Sequence, residues 1–463
     1  MERDRNISLS PSRRTILKTL GVAGLTILAS DGAVAQATDR ETWVFDVGDL
    51  VVSSPTVVEN TVYVGSNGSD ILAIDKSTGD QKWVFETGSF VNSSPAVVGD
   101  TLYVGSNDNK VYAINRDTGE KRWEFDTGDK IRSSPTVANG TVFIGNGDFQ
   151  DPVDTSLYAI DADTGQEQWR SVVEDRISSA PIVDEGTVYV TSTDGMIYAF
   201  NTEDGSYNWS EYIGAGRGSP TIVGETVYAP GFNGIYALDK ETGSEEWKYE
   251  EEISFIESSP TVADGVLYVG LTSANKLSAI DTDSGSEIWE FSTANAVYSS
   301  PTYVNETVFI GDDDGNVYSI DGNTGEEKWQ FSADDEVNSS PIVVDGTLYV
   351  GSTSRDPYGG SVYAIDTDIS GSSEGSRATF GTLGHNQLWA DSVSDNNDQP
   401  TQVPSELDGE ITAEQYTAVL DGGDTLNAGN LSSAVNQWAT TGTVNGAEIG
   451  AGELSSLVNY WAA

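Results

Sequence analysis

Residues 93–126 read SSPAVVGDTLYVGSNDNKVYAINRDTGEKRWEFD. Four pieces of this stretch, SSPAVV, TLYVGS, KVYAIN and KRWEF, place β-branched or aromatic residues at alternate positions and are bounded by Gly, Asn or Asp. That is the pattern of four antiparallel strands. Asn107-Asp108-Asn109 suits the polar and left-handed positions of a turn between the second and third strands, and Thr118-Gly119 supplies the positive φ needed between the third and fourth. A unit of this kind cannot bury its two faces alone.

The unit is written eight times. A Ser-rich step into proline recurs at Pro55, Pro95, Pro135, Pro181, Pro220, Pro260, Pro301 and Pro341, with spacings of 40, 40, 46, 39, 40, 41 and 40 residues. Radial stacking around an axis buries both faces of every unit. The sequence therefore predicts an all-β fold over 36–392, an eight-bladed β-propeller of four-stranded blades. Eight proline steps are followed by only seven outer strands of normal length, so one must come from elsewhere. Thr42-Trp43-Val44-Phe45-Asp46-Val47-Gly48 matches the outer strand that begins Trp83-Val84-Phe85-Glu86-Thr87-Gly88. The first strand is thus expected to complete the last blade and tie the ring shut.

A motif AIDxxTGxxxW runs through the repeats. It stands at Ala73 to Trp83, Ala113 to Trp123, Ala159 to Trp169, Ala237 to Trp247, Ala279 to Trp289 and, with Ser319 first, Ser319 to Trp329. In the copy from Ala199 to Trp209, Asp204 replaces the threonine. These segments resemble the tryptophan-docking repeats of PQQ-type (quinoprotein-like) propellers, over roughly residues 43–390. The resemblance implies that Trp43, Trp83, Trp123, Trp169, Trp209, Trp247, Trp289 and Trp329 are structural, each docking on a neighbouring blade. A buried aromatic side chain contributes about 2–3 kcal/mol of transfer free energy.

Lys and Arg number 23 against 73 Asp and Glu, a formal net charge of −50. Nucleic acids and anionic membranes need a basic face, so partners of those kinds are excluded. The absence of cysteine excludes disulfides, thiol catalysis, Cys-ligated metals and a lipid-bearing cysteine. The single histidine, His385, argues against most catalytic triads and histidine-rich metal sites. With 11 Trp, 20 Tyr and 13 Phe there is ample material for a core, so the acidity belongs on the surface of a folded body. A surface of that kind repels itself until salt shortens the Debye length to about 3 Å at 1 M. A secreted, salt-adapted protein of haloarchaeal type is the expectation.

The chain begins with an address. Ser12-Arg13-Arg14-Thr15-Ile16-Leu17-Lys18, a short apolar run and Ala33-Val34-Ala35 form, in order, the charged, apolar and small-residue regions of an export signal. It resembles a twin-arginine signal over 1–35, which implies an extracellular or cell-surface location. No later stretch is long and apolar enough to span a bilayer as a helix. A polar linker, 393–405, precedes a predicted small α-helical domain at 406–463, in which Leu431, Val435 and Trp438 and then Leu454, Leu457, Val458 and Trp461 fall at helical spacing. The duplicated segment resembles a dockerin-like domain, but its loops lack the alternating carboxylates of a calcium site.

The PQQ-type dehydrogenases that the repeats resemble hold a quinone over the channel with a calcium ion, a catalytic aspartate and often a vicinal disulfide. Here the cysteines are missing and most connections are minimal, the exceptions being Asn146 to Thr155, Ser352 to Gly360 and Ile369 to Asn386. No catalytic residue, metal site or cofactor, PQQ and calcium included, is expected. Asp312-Asp313-Asp314-Gly315-Asn316 reads as a turn in which Asp and Gly serve the backbone. Sequons at Asn67, Asn139, Asn208, Asn305 and Asn430 permit N-glycosylation.

The sharper signal is a difference between repeats. Three residues before each proline stand Val52, Asn92, Arg132, Ser178, Arg217, Glu257, Tyr298 and Asn338, whereas the preceding position is Val, Val, Ile, Ile, Gly, Ile, Val, Val. Alternation along a strand turns the two sets to opposite faces. The variable set is expected to ring one mouth of the axial channel, with Asn92, Arg132, Arg217, Glu257, Tyr298 and Asn338 as ligand- or partner-binding residues. The reading is a monomeric, exported, non-catalytic propeller that binds a protein or cell-surface ligand. A PQQ-dependent dehydrogenase with a reduced site is the alternative, and a calcium-dependent or carbohydrate-binding lectin-like propeller is a third class.

Overall fold

The computed structural model describes residues 40–373 except 149–154, 215, 252–255, 334 and 356–357, together with a short strand pair, Thr443–Val444 and Ala447–Glu448. The export signal, His385, the linker and the predicted helices lie outside the described residues. Eight four-stranded antiparallel sheets follow one another around a ring, an all-β eight-bladed propeller. Blade 2 shows the plan: Ala96–Val98 innermost, then Thr101–Gly105, Lys110–Asn115 and the outer Lys121–Asp126. In blade 8 the inner three strands are Ile342–Val344, Thr347–Gly351 and Ser361–Asp366, and the outer one is Glu41–Asp46. Trp43 pairs with Ala364 and Phe45 with Val362. The ring is closed by its first strand, as the count of outer strands required.

Apolar cores lie between blades rather than within one. Ala96 and Tyr103 of blade 2 share a cluster with Val137, Val142 and Tyr158 of blade 3, and Trp43, Ile342 and Tyr349 of blade 8 share another with Val57, Val62 and Leu72 of blade 1. This follows from the flat, two-sided apolar character of each unit.

The serines before each proline hold the hub. The first ties its own blade: Ser53 Oγ accepts from Gly65 N at 2.7 Å and donates to Gly65 O at 2.9 Å. The second ties blade to blade. Ser54 N donates to Ser94 Oγ, Ser94 N to Ser134 Oγ, Ala180 N to Ser219 Oγ, and so on through Ser259, Ser300 and Ser340 back to Ser54, at 2.8–3.0 Å. The circle is open only between Ser134 and Ala180, where the hydroxyl is missing. Proline fits here because it has no N–H to satisfy, and its carbonyl is used. Thr56, Thr221 and Thr261 donate to the proline carbonyl of the next blade at 2.5–2.6 Å.

The tryptophans sit where each outer strand carries a bulge, as between Ala73 and Ile74 opposite Trp83 and Gln81. The bulge turns the indole toward the next blade. Trp83 Nε1 donates to Arg116 O at 2.9 Å, and Tyr63 of the same blade donates its hydroxyl to that same carbonyl at 3.1 Å. The double acceptor recurs for Trp123 with Tyr103 on Ala162, Trp209 with Tyr189 on Lys240, and Trp289 with Tyr268 on Gly322. Trp43, Trp169 and Trp247 donate to Lys76, Thr202 and Thr282. The alanine of the motif lies directly opposite the indole, which leaves room for it. Trp329 is the exception, because the following blade has no TG turn; Arg40 lies over its ring at 4.7 Å.

Candidate functional site

One end of the ring is built from two sets of loops: the connections from each outer strand to the next inner strand, and the turns between second and third strands. They are laced together by backbone bonds, such as Asn107 N to Phe90 O, Thr193 N to Arg176 O and Val337 N to Asp312 O, all at 2.9–3.0 Å. The variable residues lie on these connections. They precede the inner strands rather than forming part of them, because those strands are only three residues long. The expected alternation is present nonetheless. Val51, Val91, Ile131, Ile177, Ile256, Val297 and Val337 are at most 3% exposed, while Val52, Asn92, Arg132, Ser178, Glu257, Tyr298 and Asn338 are half-buried and Arg217 is exposed.

Three consecutive connections carry arginines. Arg217 Nη1 reaches both carboxylate oxygens of Glu257, each at 3.1 Å. Burial holds Arg132 below the usual arginine range, with Arg217 and Arg176 adding to the effect and Asp148 opposing it. Arg176 is lowered by burial as well, and by Arg217. The structure brings Arg217, Glu257 and Arg176 to one cavity, and Arg132 sits on the connection before, into blade 3. Asn92, Tyr298 and Asn338 take the same level elsewhere on the ring, in the connections into blades 2, 7 and 8.

Beside the arginines is a cavity of about 380 Å³, lined by Arg176, Thr193, Gly214, Gly216, Arg217, Gly231, Phe232, Ile256 and Glu257. Phe232, in the turn between the second and third strands of blade 5, is 50% exposed. Neither Arg176 nor Phe232 was among the expected site residues. Arg176 lies five before Pro181, outside the set compared, although a basic residue is rare in this chain. Phe232 stands where other blades have a polar turn residue such as Asn67 or Asn107.

The acidic run at 312–316 is used up by the fold. Asp312 is fully buried and accepts hydrogen bonds from Asp314 N, Asn316 N, the Asn316 amide and the Tyr318 hydroxyl. The aspartates of the repeat motif are turn caps. Asp75 is drawn down to about 2, first by the Ser77 hydroxyl that donates to it at 2.6 Å. Among the described residues no cluster of three His, Asp or Glu side chains could hold a metal ion. Among the described residues, then, no donor set fits the calcium that a PQQ-type fold implies, and the absence of cysteine removes the disulfide that often accompanies it.

Eight blades locked by docking tryptophans, with a side-chain-lined channel mouth, define the class of quinoprotein-like repeat propellers. The family model described as the outer membrane protein assembly factor BamB, of the PQQ-like repeat type, matches residues 23–148, 107–255 and 231–459, and the chain belongs to that family. No curated protein sequence matches it. Among solved structures, BamB from Moraxella catarrhalis is 16% identical with a TM-score of 0.58, covering 70% of this chain and 98% of its own. A europium-containing methanol dehydrogenase is 15% identical with a TM-score of 0.63, covering 71% and 93%. The quinohemoprotein alcohol dehydrogenase from Comamonas testosteroni is 17% identical with a TM-score of 0.59, covering 72% and 77%. Likeness at this level is likeness of fold.

Proposed function

We propose that the protein is an exported, non-catalytic propeller that binds an acidic feature of a protein or cell-surface ligand at the channel mouth. The observation that carries this reading is the meeting of Arg176, Arg217 and Glu257 at one cavity, with Arg132 on the preceding connection, in a chain with a net charge of −50. Guanidinium groups in a concave, partly desolvated site bind carboxylates with directed, charge-assisted hydrogen bonds. In a field this negative, an anion gains little from long-range attraction. Its binding therefore rests on local contacts, which favours selectivity over rate. Members of the same fold serve as enzymes and as assembly factors, so fold alone does not choose between them. The donor set at the mouth favours binding over quinone chemistry. Export by the twin-arginine route and attachment through the C-terminal segment complete the proposal.

Arg132→Ala combined with Arg217→Ala is expected to reduce partner recovery from the native secretome by about tenfold or more, since charge-assisted bonds contribute roughly 1.5–3 kcal/mol each. Unchanged recovery, with the fold intact by circular dichroism, would move the binding surface elsewhere. Salt adaptation has its own readout. The melting temperature is expected to climb steeply from low to molar KCl as self-repulsion is screened. A melting temperature indifferent to salt would end that reading.

A further inference from the structure

One residue that lines the cavity at the channel mouth departs from the repeat. In seven of the eight connections, the position four before the proline is Val or Ile, at most 3% exposed. That side chain plugs the space over the end of a second strand, as Val91 does against Gly65 and Val337 against Gly311. The connection into blade 5 has Gly216 instead. Among the described residues, a Cβ on Gly216 would meet nothing closer than Ile256 O at 3.9 Å, and its φ lies outside the left-handed region. Neither crowding nor backbone conformation requires a glycine there. The second strand of blade 4 ends in the buried Thr191 where Gly65 and Gly311 stand in blades 1 and 7, and the cavity opens beside Gly216 between Arg176, Arg217, Phe232, Ile256 and Glu257.

The lining fixes the chemistry of what fits. Two guanidinium groups reach it, Arg217 engaged by Glu257 and Arg176 lying 3.8 Å from Asp175. A ligand with one carboxylate adds less negative charge to a strongly negative protein than a dianion does. Phe232, half exposed, and Ile256 also line the cavity, and the Phe232 ring offers an apolar surface on which an aromatic or branched side chain can rest. The volume of about 380 Å³ is that of a small-ligand site.

We propose that this cavity binds a single carboxylate carried on an aromatic or apolar group, the chemistry of a polypeptide C-terminus ending in such a residue or of a free aryl carboxylate. The inference rests on the channel mouth being the binding face and names the ligand class for it. Carboxylate capture by guanidinium sets the orientation, and burial of the apolar group adds affinity.

The test is calorimetric titration of the full chain, in the salt that keeps it folded, with 3-phenylpropionate, its amide, glutarate, and the peptide Gly-Ser-Gly-Ser-Gly-Phe with a free C-terminus. 3-Phenylpropionate is expected to bind about tenfold or more tightly than its amide, because the amide lacks the charge-assisted bonds, and more tightly than glutarate, which lacks the ring. Gly216→Val is expected to fill the cavity, leave the melting temperature unchanged or raised, and abolish binding. Arg176→Gln and Phe232→Ala are each expected to weaken it in a folded protein. A peptide markedly tighter than 3-phenylpropionate assigns the site to a polypeptide C-terminus, and equal affinity assigns it to a free acid. The proposal is overturned if the amide binds as well as the acid, if neither carboxylate binds, or if Gly216→Val binds normally. Those failures, with partner recovery still dependent on Arg132 and Arg217, would remove the ligand class and leave the binding face standing.

Discussion

Trp43→Ala is expected to lower the stability of the protein by about 4 kcal/mol, the usual cost of truncating a buried aromatic side chain. Trp43 is 8% exposed, its indole donates to Lys76 O at 2.9 Å, and its ring lies 5.8 Å from that of Tyr349. It belongs to the strand that closes the ring, so the substitution weakens the join between blades 8 and 1 from both sides. Deleting residues 36–48 should cost more still, because the ladder to Ser361–Asp366 goes with it. Deleting 393–463 should cost far less. Denaturant midpoints at constant slope provide the measurement. A loss below about 1 kcal/mol for Trp43→Ala would mean that the closing strand contributes no more than an ordinary surface residue.

Gly243→Ala is expected to cost about 3 kcal/mol, from a left-handed backbone worth about 1–2 and crowding worth about 1–3. Gly243 has φ +73°, and a Cβ there would lie 2.5 Å from Cε3 of Trp209. The same glycine recurs under the indoles of Trp43, Trp83, Trp123, Trp169, Trp247 and Trp289. Gly99→Ala is the natural control, since Gly99 has φ +56° and an added Cβ would have no neighbour within 4 Å. It should cost only about 1 kcal/mol, the backbone share alone. Equal losses at the two sites would show that the indole yields and that docking is not close-packed.

The fold was legible because the repeat states it eight times. Proline spacing gave the period, TG turns gave the hairpins, and the shortage of one outer strand gave the closure at Glu41–Asp46. The reason for the Ser-Ser step was not legible. A pair of serines before proline looks like turn composition until the ring shows Ser54 bonded to Ser94 and Ser340 to Ser54. Nor could the shared carbonyls be read, because Tyr63 and Trp83 meet on Arg116 only once the next blade is in place. At the channel mouth, comparing repeats at one position found Arg132, Arg217 and Glu257. It missed Arg176 and Phe232, which line the cavity of Arg217 and Glu257 from a neighbouring position and from a different loop. A ring gathers residues by level rather than by register, and one aligned column samples only part of a level.

The closing strand also sets a clock. Glu41 and Ile365 are neighbours in the folded ring although roughly 320 residues separate them, and joining ends so distant is slow and entropically costly. While the chain is being synthesised, blades 1 to 7 have all their strands before Ser361–Asp366 exists. Glu41–Asp46 meanwhile presents an unpaired edge, the kind of surface that invites pairing with another molecule. That exposure ends when Ser361–Asp366 pairs with Glu41–Asp46 to complete blade 8, the last step in closing the ring.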